Sequence, residues 1–125
     1  MYLSEVVYRN IVNKKELESV AQTDALVVRS HEVPCVIFKH SNRCNISYIA
    51  KHRLEQKWDF APEEVEVYYL DLIAHRPVSN HVAEYFGVHH ESPQLLLIRN
   101  GECTYDASHL DISVDELHEC FHNAF

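Results

Sequence analysis

The chain is poor in the residues that interrupt helices and strands, with two glycines and four prolines among 125 residues. It has no apolar run near the roughly 20 residues that span a bilayer, and its first five residues lack the basic and apolar regions of a signal peptide. Linkers and low-complexity tracts are also absent. We therefore expect one globular domain over residues 1–125, in the cytoplasm and without a membrane partner.

Positive charge is scarce as well: the chain has 11 lysines and arginines but 19 acidic residues, and its formal net charge is −8. Phosphate contacts need a net basic face, so this balance argues against binding to nucleic acid or to an anionic membrane. Ten histidines would bring the net charge close to neutral near pH 5. We therefore expect no nucleic-acid partner.

Cysteine pairs at C-x-x-C spacing are missing. In a reducing cytoplasm, single cysteines predict neither a disulfide framework nor a cysteine-rich zinc site. His118 and His122 share a helix face and with Asp115 could bind a metal weakly, but a solvated face is the favoured interpretation, so we expect no metal. The four cysteines are Cys35, Cys44, Cys103 and Cys120.

Strands and helices are predicted to alternate after residue 34. Apolar and β-branched residues predict strands over Cys35–Lys39 and Val65–Leu72. Between them, apolar side chains at helical spacing predict an amphipathic helix that begins near Cys44. These side chains are Ile46, Ile49, Ala50, Leu54 and Trp58.

The second half of the chain continues this alternation. Pro77 in a first helical turn and Gly87 at a helix end bound a second helix. Asn100-Gly101 predicts the turn of a hairpin, and Ser113 with Glu116 predicts the capped start of a final helix. The order of elements predicts an α/β fold with a mixed central sheet flanked by helices.

The segment before Pro34 is harder to interpret. Asn13 with Glu16 resembles a helix N-cap, and the apolar residues that follow could continue one helix to about Arg29. The run from Ala25 to Arg29 could equally be a strand. We therefore divide the domain into an N-terminal extension or helical region, residues 1–33, and a core, residues 34–125.

Two cysteines are predicted to be buried and inert. In a hairpin with a two-residue turn, Ile98 pairs with Cys103, so Cys103 would share one face of the sheet with Leu96 and Tyr105. Cys35 is the first residue of the first predicted strand and is likewise predicted to be buried and inert.

Cys44 is the most informative residue, because it lies where a strand gives way to a helix. Free backbone N–H groups and the helix dipole favour a thiolate there. No acid occurs between Glu32 and Glu55, whereas four basic residues do: Lys39, Arg43, Lys51 and Arg53. An inert buried thiol is the alternative.

Ser47 stands where a C-x-x-C motif would carry its second cysteine, so no disulfide can form within this motif. Cys44 could still attack a disulfide, hold one half as a mixed disulfide and pass it to an outside thiol. This pattern predicts a monothiol exchange cycle, in which Ser47 can donate a hydrogen bond to the thiolate.

Four blocks of sequence carry a resemblance to a known family. They are Lys39–Ser47, Arg76–Asn80, Phe86–Gln94 and Asn100–His109. Together they resemble the monothiol bacilliredoxins, the YtxJ-like general-stress proteins with a thioredoxin-like fold, over about residues 34–112. The resemblance implies a cytosolic redox protein that removes bacillithiol from S-thiolated proteins, with this low-molecular-weight thiol as co-substrate and no bound cofactor.

The resemblance also implies a set of site residues. Cys44 is the nucleophile, and Ser92-Pro93 is expected to be a cis peptide beside it that presents backbone to an extended substrate. Asn45 departs from the proline or serine that many family members have there. His89 and His90 are expected to flank the cleft. Thiolate support and substrate binding are expected from Lys39, His40, Ser41, Arg43, Asn45, Ser47, Arg76, Ser92 and Pro93.

A second function of another class remains open from the sequence. A thioredoxin-fold module could recognise peptides in the same cleft, as a binding or stress-adaptor protein, without turnover. Alkylation of Cys44 across pH discriminates the two, because only the redox function requires a stabilised thiolate.

Overall fold

The computed structural model describes residue 11 and residues 14–122, which form a mixed five-stranded sheet with helices on both faces. Strand order is β1-β3-β2-β4-β5; β1, β2 and β3 run parallel, whereas β4 runs antiparallel to β2 and to β5. The strands are β1 Lys15–Glu16, β2 Cys35–His40, β3 Glu66–Asp71, β4 Gln94–Arg99 and β5 Glu102–Ser108. The helices are α1 Val20–Arg29, α2 Asn45–Lys57, α3 Arg76–Phe86 and α4 Val114–His122, with a short 3-10 helix at His109–Asp111.

Each face of the sheet has its own hydrophobic core, because side chains alternate along each strand. From β2, Val36 and Phe38 pack on the face covered by α2 and α4. Cys35 and Ile37 pack on the face covered by α1 and α3. The central strands are therefore buried on both sides, which explains their continuous apolar runs.

The N-terminal region differs from the predicted long helix. Lys15–Glu16 instead pairs with β3 as an edge strand, and Leu17 is fully buried. Helix α1 begins later, where the Ser19 side chain accepts a 3.1 Å hydrogen bond from the Gln22 N–H. The helix start predicted at Asn13 lies outside the described residues, and the alternative strand at residues 25–29 is wrong because this segment is helical.

The hairpin of β4 and β5 has the predicted turn but also a bulge. Ile98 pairs with Cys103 as predicted, whereas Leu97 pairs with Tyr105, so Thr104 is an extra residue on β5. The insertion moves Tyr105 to the face of α2 and α4, while Cys103 packs on the opposite face. The prediction that Tyr105 shares a face with Cys103 is therefore wrong.

Two predicted helix boundaries are confirmed. Helix α3 ends at Gly87, which has φ 66° and ψ 34° in the left-handed region. At the start of α4, the Ser113 hydroxyl accepts a 3.3 Å hydrogen bond from the Glu116 N–H. Short-range capping chemistry is sufficient for both boundaries.

Candidate active site

Cys44 immediately precedes helix α2 at the end of the sheet where β2 finishes. Its backbone is extended (φ −114°, ψ 125°), and its carbonyl accepts a 3.1 Å hydrogen bond from the Tyr48 N–H. The first N–H groups of a helix have no acceptor within it, and the half-buried Cys44 side chain accepts no capping hydrogen bond from them. The thiol is therefore partly accessible at the start of a helix.

Two buried serines shape the loop before the thiol. The Ser47 hydroxyl accepts a 2.8 Å hydrogen bond from the Ser41 N–H, and the Ser41 hydroxyl accepts a 3.2 Å bond from the Arg43 N–H. The Ser41 carbonyl also accepts a bond from the Cys44 N–H at 3.4 Å. Ser47 therefore holds the loop closed against α2 and keeps its own hydroxyl proton for a further acceptor.

The rim of the thiol is basic and apolar. Arg43 and Asn45 are exposed, and Arg43 makes no ion pair with any residue in the described part of the chain. Ile46 and Ile49 are 43% and 44% exposed, because the buried face of α2 is formed by its neighbours Ser47, Ala50 and Leu54. Helical spacing predicts both isoleucines on the buried face of the helix, and this prediction is wrong.

Lys39 lies in β2, and its side chain points away from the α2 face. Its Nζ is 3.3 Å from the Ser79 carbonyl oxygen and 3.3 Å from His90 Nδ1, and the residue is 0% exposed. Desolvation lowers the pKa of Lys39 to about 8. The structure thus connects Lys39 with α3 and with the segment that leads to β4, and neither contact is with Cys44, whose thiolate Lys39 is expected from the sequence to support.

His40 ends β2 on the opposite face. Its ring stacks on Phe38 with centroids 5.9 Å apart and meets Tyr69 edge-on at 5.7 Å. Burial lowers the pKa of His40, and its buried Nε2 has no hydrogen-bond partner among the described residues. His40 therefore packs as a neutral aromatic ring below the loop that carries Cys44.

The segment before β4 lies at the same end of the sheet. The Ser92-Pro93 peptide bond is cis, as predicted, and Pro93 is buried. Gln94 pairs with Lys39, so the residues that precede Gln94 lie beside the end of β2. The Pro93 carbonyl accepts a 2.9 Å hydrogen bond from the His109 N–H, whereas the buried Ser92 hydroxyl has no partner in the described part of the chain.

Arg76 is the exposed first residue of α3. Because β3 is parallel to β2, α3 starts at the end of the sheet that carries Cys44. Burial, followed by the nearby charges of Lys39 and Arg76, lowers the pKa of His90. Arg76, a residue expected to bind substrate, therefore places an exposed cation near His90 at this end of the sheet.

The remaining cysteines lie at the other end of the sheet. Cys35 and Cys103 both pair with Ile98, one on each side, so their Cα atoms are about 10 Å apart, beyond the reach of a disulfide. Cys120 lies near this end, where its carbonyl is 3.5 Å from Arg99 Nη1. Burial raises the pKa of Cys35 to about 12 and of Cys103 to about 11.

The histidines of α4 take part in packing. His118 stacks on Phe60 with ring centroids 4.3 Å apart, and its Nε2 is 2.7 Å from Asp59 Oδ1. Among residues 11 and 14–122, no group of three or more His, Cys, Asp or Glu side chains is arranged to hold a metal ion. Within the same residues, every helix is too short or too polar to cross a membrane.

Comparison with known proteins identifies the family. Residues 15–117 match the model of the family described as monothiol bacilliredoxin BrxC. A solved structure described as a candidate oxidoreductase with a thioredoxin fold superposes with a TM-score of 0.73 at 27% identity, and the match covers 97% of this chain and 98% of that one.

Two thioredoxins show the same fold at lower identity. The protein from Malassezia sympodialis superposes with a TM-score of 0.67 at 14% identity, covering 87% of this chain and 88% of its own. Thioredoxin from Fasciola hepatica superposes with a TM-score of 0.65 at 18% identity, covering 86% and 96%. With a thioredoxin fold and a family match over most of its length, the chain belongs to the monothiol bacilliredoxin family.

Proposed function

We propose that this protein is a monothiol thiol–disulfide oxidoreductase that removes bacillithiol from mixed disulfides on cytosolic proteins. One observation carries the proposal: Cys44 is half-buried at a helix start, and the other three cysteines lie near the far end of the sheet. From Cys35 to His40 alone, the strand spans roughly 17 Å. An internal thiol is therefore too distant to resolve a mixed disulfide on Cys44.

The cycle has two exchange steps. The Cys44 thiolate attacks the bacillithiol sulfur of the mixed disulfide, so a Cys44–bacillithiol disulfide forms and the target protein leaves as a thiolate that takes up a proton. A second low-molecular-weight thiol, as thiolate, then attacks the bacillithiol sulfur. It forms a small disulfide and releases the Cys44 thiolate, so the protein ends the cycle in its starting oxidation state, the target thiol is reduced and the two small thiols are oxidised to a disulfide.

The rim residues match the two halves of this substrate. Arg43 and Arg76 are exposed cations that suit the carboxylates of the malate moiety of bacillithiol. Ile46 and Ile49 give the target protein an apolar surface beside the thiol. Ser92, before the cis bond, presents backbone to an extended segment of the target, in the manner implied by the thioredoxin-like fold, because Pro93 has no N–H and its carbonyl is bonded to the His109 N–H.

The test follows one bacillithiol by intact-mass spectrometry. A target protein that carries bacillithiol on a single cysteine is mixed with wild type, with Cys44→Ser and with the matched control Cys103→Ser. We expect the adduct to leave the target and reach wild type and Cys103→Ser, with more than a 100-fold loss of transfer in Cys44→Ser. Equal transfer by Cys44→Ser would disprove the redox function. Binding of the target without transfer by wild type would instead indicate a recognition module.

A further inference from the structure

Lys39 is unusual because a lysine that is 0% exposed normally has a carboxylate partner. No carboxylate in the described part of the chain forms an ion pair with it. Burial of a charge without an ionic partner costs free energy. The contacts that the Lys39 ammonium makes in the interior therefore need an explanation.

The ammonium of Lys39 joins two elements that are distant in sequence. It donates to the Ser79 carbonyl in α3 and lies 3.3 Å from Nδ1 of His90, which follows α3. Lys39 has no acceptor of its own, so Nδ1 accepts and the imidazole proton resides on Nε2. The Ser79 hydroxyl is 3.4 Å from the same Nδ1.

A second buried side chain, that of Gln94, contacts His89, the residue before His90. Gln94 is the cross-strand partner of Lys39 and is 1% exposed. Its Nε2 donates a 2.9 Å hydrogen bond to the carbonyl of His89. Neighbouring side chains on β2 and β4 thus hold two successive residues of the segment that ends in Pro93.

We propose that Lys39 is a positioning residue that, through His90, fixes residues 89–93 at the edge of the Cys44 cleft so that this edge is ready to bind a protein substrate. The contact between Lys39 and His90 is present whether or not the protein catalyses thiol exchange. The effect of this contact on turnover rests on the function proposed above, because residues 89–93 contact a protein substrate only if the protein exchanges thiols. Lys39 acts from the interior, and no contact with the substrate is required of it.

Amide hydrogen exchange tests the attachment in the free protein. The variants are Lys39→Met and His90→Ala, and the matched control is Lys57→Met, which removes an exposed lysine from the last turn of α2. The His109 amide is the reporter, because it donates to the Pro93 carbonyl. We expect this amide and the peptide spanning residues 88–94 to exchange at least 10-fold faster in both variants, with the control like wild type.

The same variants separate positioning from chemistry. We expect KM for a protein mixed disulfide to rise at least five-fold in Lys39→Met and in His90→Ala, while alkylation of Cys44 by iodoacetamide changes less than two-fold. The double variant should be no worse than either single variant, because both remove one shared contact.

Unchanged exchange in the reporter and in residues 88–94 would overturn the proposal, and so would additive effects in the double variant. His90→Ala decides the outcome if Lys39→Met does not fold, since it removes the contact from the surface side. If wild type shows no turnover of mixed disulfides, the proposed function fails, whereas the exchange data still decide the role of Lys39.

Discussion

At the scale of single residues, Lys39 is a cation in a place that water does not reach. Its pKa is lowered from an ordinary value of 10.5 to about 8, because burial removes the hydration that favours the charged form. Between these two values the unfolded chain binds more protons at this residue than the folded chain does. A rise in pH from 8 to 10.5 therefore shifts the equilibrium toward the folded state, as far as Lys39 is concerned.

We expect Lys39→Met to remove this dependence on pH. The free energy of unfolding of wild type, relative to that of the variant, should increase by roughly 3 kcal/mol between pH 8 and pH 10.5. Urea unfolding of both proteins across this range measures the difference, and the other titrating groups cancel in the comparison. Parallel stability curves would show that Lys39 keeps an ordinary pKa in the folded protein.

Local patterns in the sequence were sufficient to place Cys44 at the start of a helix, and the family resemblance implied the cis peptide before Pro93. Cys44 could be predicted from one strand-to-helix transition, and the cis bond before Pro93 is confirmed. The contact between Lys39 and His90 joins residues 51 positions apart. No spacing rule within a single element reports such a contact, because it depends on how α3 packs against β2.

At the scale of elements, Gly87 is the C-cap of α3 and has a left-handed backbone conformation. A substitution at Gly87 measures what this conformation contributes to stability. A Cβ at this position would have nothing within 4 Å, so a larger residue meets only the conformational cost. We expect Gly87→Ala to lower the free energy of unfolding by about 1 kcal/mol. Gly87→Asn should cost less, because asparagine tolerates this region. Chemical denaturation of the three proteins measures both, and equal stability of alanine and glycine would contradict the argument.

Elements with strong local signals were predictable, and those determined by pairing were not. Asn100-Gly101 was enough to predict the turn and its first pairs, yet the bulge at Thr104 has no local signature in the sequence. The strand Lys15–Glu16 is too short for any alternation and exists because β3 pairs with it. Ile46 and Ile49 follow helical spacing but face solvent, since the tertiary packing of α2 selects the neighbouring face.

At the scale of the whole molecule, the thiols divide into two groups at opposite ends of one sheet. Burial raises the pKa of Cys35, Cys103 and Cys120, with values of about 12 for Cys35 and about 11 for Cys103. At pH 8 only about one Cys103 side chain in a thousand would be a thiolate. Exchange with a disulfide requires the thiolate, so these three react slowly while the protein is folded.

We therefore expect native protein at pH 8 to release one fast equivalent from an aromatic disulfide reagent, and to release all four only in denaturant. Absorbance of the released thiol measures the count. The variant Cys44→Ser should lose the fast equivalent and show three in denaturant. Two fast equivalents in wild type would show that the second group is reactive in the folded state.

The bulge in β5 has a consequence for how copies of the protein meet. A regular, unpaired strand at a sheet edge is a template for strands of other chains and a starting point for aggregation. Here the β5 edge is interrupted at Thr104 and carries the exposed carboxylates of Glu102 and Asp106. At the other edge of the described sheet, β1 is only two residues long and both are charged. Neither edge of the described sheet offers a long regular ladder, so we expect edge-to-edge pairing between folded copies to be disfavoured.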